Sequence, residues 1–339
     1  MLDLAFDWFR NKGGDRAILL RNVAWAYHFL GAAGFVGSDL DTLRQRVARA
    51  GDAMRAAGLE NTHHAWALLY DRLADWPDLA GYFLEGCASD PVIGFELSRA
   101  QKALLTGEGR RYVDLRTHPV RFLPDYFFAA ATNDPALHER LATLQPPRRY
   151  VDQHVHFARA RAARRYHDRL DPARDVVFFG QTAVDSSRIR DGALVDDLYI
   201  LLEVEARLAA GPGRLHIKHH PHEQLPPPLL RELKALGGRE IATATYDLLS
   251  VPGLGVMALS SSVCHEARYF DAAPLSLLDM GEPVAMIGEG TVPGDYVMMP
   301  ANAHTPGIWD YLRHGGQVPD CAYPALATPF RAASGLAWG

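Results

Sequence analysis

Asp185 stands four residues after Gln181, in a Gln-Thr-Ala-Val-Asp run directly behind the apolar stretch 176–179. A carboxylate in such a loop can act as base, nucleophile or ligand contact, and the neighbouring Gln181 amide can donate or accept hydrogen bonds. The competing role for Asp185, or for Ser186, is to cap the next helix. A second group is Leu215-His-Ile-Lys-His-His-Pro-His222. On an extended strand alternate side chains share a face, so His216, Lys218 and His220 project together. Lys218 and His220 could neutralise a phosphate, with Pro221 fixing the turn. Four histidines in seven residues also invite a zinc site, but no HExxH pattern or cysteine pair accompanies them. A solvated histidine run without function is the plainer alternative.

The third group is Ser260, Ser261 and Ser262, which opens a helical pattern. Hydroxyls and free N–H groups at a helix start suit a phosphate or carboxylate, although serine is also a common cap. In the N-terminal half, Glu96 and the cluster Arg116, His118 and Arg121 combine a lone carboxylate with cationic groups. A buried ion pair beside a turn proline explains these residues as well as catalysis does.

The elements that must position these groups are clearest after residue 175. Short apolar runs at 176–179, 215–218, 256–259 and 274–278 alternate with helical patterns at about 194–209, 228–236 and 262–270. That alternation predicts βαβ units and a parallel sheet. Polar residues and glycines collect just past the runs, where open α/β sheets bind ligands. Earlier in the chain, 16–20 reads as a short strand. Apolar spacing predicts a helix over 38–59, with Ser38 as cap and Gly58 as stop, and another over 64–73. Residues 111–115 read as a strand, 120–131 as a buried aromatic-rich segment, and 281–339 as irregular apart from a helix near 309–313.

At 339 residues, two domains are expected. A net charge of -5 with no basic run gives no footprint for nucleic acid. The three cysteines are far apart, which fits a reducing compartment. The charged N-terminus does not read as a signal peptide, and no apolar run is long enough to span a membrane. These features predict a cytoplasmic protein with at most peripheral membrane association, the inner face of the inner membrane being the place for it.

Gln181-xxx-Asp185 with Lys218-x-His220-Pro221 resembles the paired QxxxD and KxHP motifs of bacterial β-Kdo transferases, which build capsule and surface-glycan linkers. His220-Pro221 followed by Ser260, Ser261 and Ser262 is also similar to the HP and SS motifs of bacterial sialyltransferases. The likeness covers about residues 176–270, and the N-terminal half shares it only loosely. It implies a GT-B-like α/β fold, two Rossmann-type lobes with an intervening cleft. The N-terminal acceptor-side lobe would span 1–150, a linker 151–174 and a CMP-sugar lobe 175–339.

The implied activity is transfer of an acidic ulosonic sugar, Kdo first, from its CMP donor to a glycan or glycolipid acceptor. A sialic or other nonulosonic acid is the alternative donor. Lys218, His220 and Pro221 would serve the CMP phosphate, and Ser260, Ser261 and Ser262 the phosphate or the sugar carboxylate. Asp185 would face the anomeric carbon, aided by Gln181, with Glu96 near the acceptor and Arg116, His118 and Arg121 as further contacts. A covalent, retaining route is favoured over an inverting one. The resemblance implies no metal and no cofactor beyond the CMP-sugar co-substrate. His216, His219 and His222 depart from the motif by crowding it. The rivals are a metal-dependent hydrolase using 216–222 and a catalytically silent sugar-binding lobe of a larger assembly.

Overall fold

The computed structural model describes residues 4–11, 17–31, 33–34, 40–165, 170–211, 213–279 and 282–323. In chain order the first strands are β1 (Leu4–Phe6), β2 (Val92–Phe95), β3 (Tyr112–Thr117) and β4 (Phe128–Thr132). There follow β5 (Asp175–Phe179), β6 (Ile189–Arg190), β7 (Ala193–Leu194) and β8 (Arg214–Lys218). The last are β9 (Arg239–Glu240), β10 (Gly255–Ala258), β11 (Ala273–Ser276) and β12 (Val297–Met298).

Ten of these strands build two sheets, one per lobe, and β6 pairs with β7 in a separate antiparallel ribbon. The first has the order β1-β2-β3-β4-β12, parallel through β3 and antiparallel at β4 and β12. The second has the order β11-β10-β5-β8-β9 and is parallel throughout. Val92–Phe95 and Phe128–Thr132 are buried at every position, as strands covered on both faces must be. The expected α/β architecture of two Rossmann-type lobes facing a cleft is the one observed.

The apolar runs expected as strands after residue 175 form β5, β8, β10 and β11, and the helices between them are Asp197–Ala209, Pro227–Ala235 and Ser262–Ala267. Helix Leu40–Ala56 and helix His63–Arg72 also match their apolar spacing. Gly58 follows the first of these at φ 76°, a left-handed stop that suits glycine. Its expected cap, Ser38, lies outside the described residues.

Two regions differ from expectation. Residues 17–20 open the helix Ala17–Gly31 instead of forming a strand. Leu19, Val23, Ala26, Tyr27 and Leu30 are buried at helical intervals, a period that a five-residue apolar run cannot display. The C-terminal segment, expected within 175–339, returns to the first sheet. Val297 and Met298 pair with β4, and Arg140 of helix Pro135–Thr143 donates to the Leu312 carbonyl at 2.6 Å at the end of helix Pro306–His314.

The segment 151–174 is mostly helix, Arg148–Arg165. Val151, Val155 and Ala158 are buried with Val177, Val256 and Phe270 of the second lobe. Val120, Phe122 and Leu123, which follow β3 of the first sheet, belong to the same apolar cluster. Burial of that size joins the lobes through a shared core as well as through the chain.

Candidate functional site

The carboxyl ends of β3, β5, β8 and β10 open on one cavity of about 340 Å³. Gln181 and Asp185 follow β5, Lys218 ends β8, His220 and Pro221 come next, and Ser260, Ser261 and Ser262 follow β10. All of these line the cavity. Arg116 and Arg121 enter it from the other lobe.

Short bonds hold the loops together. Gly180 N donates to the Lys218 carbonyl at 2.7 Å, and a Cβ on Gly180 would lie only 3.1 Å from Leu225 and 3.3 Å from the His220 nitrogen. Glycine there lets the ends of β5 and β8 approach. Ala183 N donates to Glu223 at 3.0 Å, tying the Asp185 loop to the histidine turn. The Asp185 carboxylate accepts from Ser187 N at 3.0 Å and from Ser187 Oγ at 2.9 Å. The capping role is therefore real, and the same side chain borders the cavity. His220 Nδ1 accepts from His222 N at 3.2 Å, which fixes the ring. Burial lowers the Lys218 pKa.

Ser261 caps the helix Ser262–Ala267 by accepting from Val263 N. That helix has six residues. It is too short to carry much of a macrodipole, so what it can offer an anion is hydroxyls and local N–H groups.

Of the other histidines, His219 also lines the cavity, and His216 and His219 each have a carboxylate partner. His216 lies 3.0 Å from Asp175, which Arg214 also engages, and His219 lies 2.7 Å from Glu240. Among the described residues no three His, Cys, Asp or Glu side chains converge as a metal site would need. His118 does not reach the cavity. It is fully buried, its Nδ1 accepts from Val120 N at 3.1 Å, and its ring meets His265 edge-on at 5.8 Å. Burial drives its pKa well below the ordinary value. The apolar residues around it, Val120 and Phe122, pull the turn into the shared core.

Glu96 lines a second cavity of about 200 Å³, which shares Arg116, Thr117, Arg121, Asp185 and Ser187 with the first. Glu96 pairs with Arg10, a partner outside the expected Arg116–Arg121 cluster. Glu96 adopts φ 52° at the end of β2, a left-handed conformation uncommon outside glycine.

Two acids went unrecognised in the sequence. Glu266 sits one helical turn past Ser262 and lines the main cavity. Its Oε1 accepts from Arg121 N at 2.6 Å and from the Tyr246 hydroxyl at 3.0 Å. Burial pushes its pKa up to about 7 against those bonds and the nearby Arg121 charge. The serine run at i and the glutamate at i+4 were the available signal. Glu282 binds Lys102 and Arg116 in the second cavity's wall. Burial alone would raise its pKa, but the charges of Arg116 and Lys102 prevail and bring it down to about 2.

No helix among the described residues is long and apolar enough to cross a membrane. No family model matches this chain, and no curated protein matches it. Among solved structures, the β-Kdo 2,7 transferase KpsC of Thermosulfurimonas dismutans aligns with it at 14% identity. The alignment covers 69% of this chain and 88% of that one, with a TM-score of 0.35.

Proposed function

We propose that the chain is a glycosyltransferase that moves a 2-ulosonic acid from its CMP donor to a glycan acceptor. One observation carries the reading: Gln181, Asp185, Lys218, His220, Ser260, Ser261 and Ser262, from three separate loops, line one cavity between the lobes. Lys218, His220 and the serine hydroxyls supply the donors and positive charge that a departing phosphate needs. Asp185 supplies negative charge where an oxocarbenium-like centre would develop.

In the favoured route an Asp185 oxygen bonds to the anomeric carbon as the bond from that carbon to the CMP phosphate oxygen breaks. The bonding electrons leave with CMP. An acceptor hydroxyl then attacks the same carbon, the Asp185 bond breaks, and the hydroxyl proton passes to a base. Two inversions give net retention. The second cavity touches Asp185 and Ser187 and lies largely on the N-terminal lobe, and we assign it to the acceptor. Glu96 stands there with Arg10.

Kdo is the first donor to test because QxxxD and KxHP occur together. The serine run after the HP pair favours sialic or related nonulosonic acids as second. Incubation with CMP-Kdo, CMP-sialic acid and neutral nucleotide sugars, followed by mass spectrometry of products, tests the assignment. Neither transfer nor hydrolysis of any CMP-sugar would end it.

A further inference from the structure

A 2-ulosonic acid carries its carboxylate on the anomeric carbon itself. A donor placed with that carbon against Asp185 therefore brings a second carboxylate next to the first, and like charges so close repel unless a cation sits between or beside them. Two cationic residues of the first lobe border both cavities and can fill this role. Arg116, at the end of β3, and Arg121, in the loop after it, border both cavities, as does Asp185.

Arg116 is held in place before any ligand arrives. Its Nη2 donates to Glu282, and its guanidinium carbon lies 4.0 Å from the centre of the Tyr296 ring. Glu282 is held in turn by Lys102, whose Nζ donates to the Tyr296 hydroxyl at 2.8 Å. The Tyr296 hydroxyl donates to buried Asp114. A guanidinium has five N–H donors, and the bond to Glu282 uses one nitrogen of the fork. Arg121 stands with its guanidinium carbon 5.3 Å from the Tyr126 ring, and its backbone N–H is anchored on Glu266. The groups suited to phosphate, Lys218, His220 and the serines, belong to the opposite lobe.

We propose that Arg116 and Arg121 bind the carboxylate of the donor sugar, so that the N-terminal lobe selects an acidic sugar while the C-terminal lobe holds its nucleotide. This rests on the CMP-ulosonate reading of the cavity. It makes the two arginines specificity determinants, and it requires both lobes for recognition of an acidic donor. Neutral sugars lose the bridging contact.

The test compares each CMP-ulosonate with its carboxyl methyl ester, which keeps the sugar's shape and removes the charge. Wild-type protein should favour the acid by ~30-fold in kcat/KM, the size expected of a charge-assisted contact. Arg121→Gln and Arg116→Gln should each reduce that ratio to about threefold or less while CMP binding, followed by calorimetry, stays within about twofold. Because Arg116 belongs to a buried network, Arg121→Gln and the wild-type acid-to-ester ratio decide the matter if Arg116→Gln does not fold. Equal wild-type rates on acid and ester overturn the proposal, as does an unchanged ratio in Arg121→Gln. Wild-type protein that turns over no CMP-ulosonate overturns the function itself, a result distinct from either.

Discussion

Gln181 and Ser260 are bonded across the second sheet: Gln181 Nε2 donates to Ser260 Oγ at 3.0 Å, and Ser260 N and Oγ lie 3.2 and 3.3 Å from Gln181 Oε1 as donors to it. The two residues follow neighbouring strands, β5 and β10. Gln181 also donates to Ser187 Oγ at 2.7 Å, and Ser187 in turn donates to Asp185. One amide thus couples the serine run, proposed to face the phosphate, to the carboxylate proposed to face the sugar. This makes Gln181 a positioning residue.

Gln181→Ala should therefore loosen both groups at once. The buried Ser260 hydroxyl and N–H lose their partner, at a cost of about 1–3 kcal/mol in stability. Thermal unfolding measures that loss, and CMP titration should show weaker binding although the alanine itself cannot touch phosphate better or worse. An unchanged Tm and an unchanged Kd together would contradict the coupling.

Asp185→Asn should abolish transfer while CMP binding persists. Asparagine caps as well as aspartate does, so the bond to Ser187 N survives and only the charge is removed. Intact-protein mass spectrometry of wild type after incubation with CMP-Kdo should show a sugar adduct, mapped by digestion to peptide 181–188. Full transfer activity in the variant would remove Asp185 from the reaction. An inactive variant with no wild-type adduct under trapping conditions would favour a base over a nucleophile.

The C-terminal lobe was legible because its strands are short apolar runs between amphipathic helices, and the polar residues just past them marked the cavity. What escaped had no local signature. β1 is Leu4–Phe6, and β2 is Val92–Phe95; each is too short to show a period. His118 looked like a cavity residue because charged neighbours surround it in sequence, but its own side chain turns into the core with Val120. The Arg116–Glu282 pair joins positions 166 residues apart. Only the fold brings them together, so no spacing rule could have supplied the pair.

His220→Ala should weaken CMP binding by roughly 10- to 100-fold, the range of one charge-assisted hydrogen bond to phosphate. The ring borders the cavity beside Lys218, and the bond from His222 N to Nδ1 orients it. Calorimetric titration is the measurement, and a dissociation constant equal to that of wild type would place the phosphate elsewhere.

Chelation should leave turnover unchanged. In the proposed reaction Lys218, His220 and the serines offer the charge and donors that a divalent cation would bring to the leaving phosphate. Equal initial rates in excess EDTA and in excess Mg²⁺ are expected. Stoichiometric zinc in purified protein, with activity lost on its removal, would revive the hydrolase reading.

Glu266 offers a prediction about stability and pH. Its folded pKa is raised to about 7, above the ordinary 4.5, so the folded protein holds a proton that the unfolded chain has released between those values. Its contribution is complete below pH 4.5 and is lost as the pH rises through 7, and the span corresponds to on the order of 3 kcal/mol. Neighbouring His265 has the opposite slope over a nearby range, because burial, with the Arg268 charge adding, depresses its pKa from 6.5 to about 4. The comparison must therefore be variant against wild type, in which the histidine cancels. Glu266→Gln keeps an oxygen to accept from Arg121 N and the Tyr246 hydroxyl and cannot ionise. Its Tm relative to wild type should rise steadily as the pH is taken from 4.5 to 8, most steeply below 7. Parallel unfolding curves for the two proteins across that range would show that Glu266 binds no more proton in the folded state than in the unfolded chain.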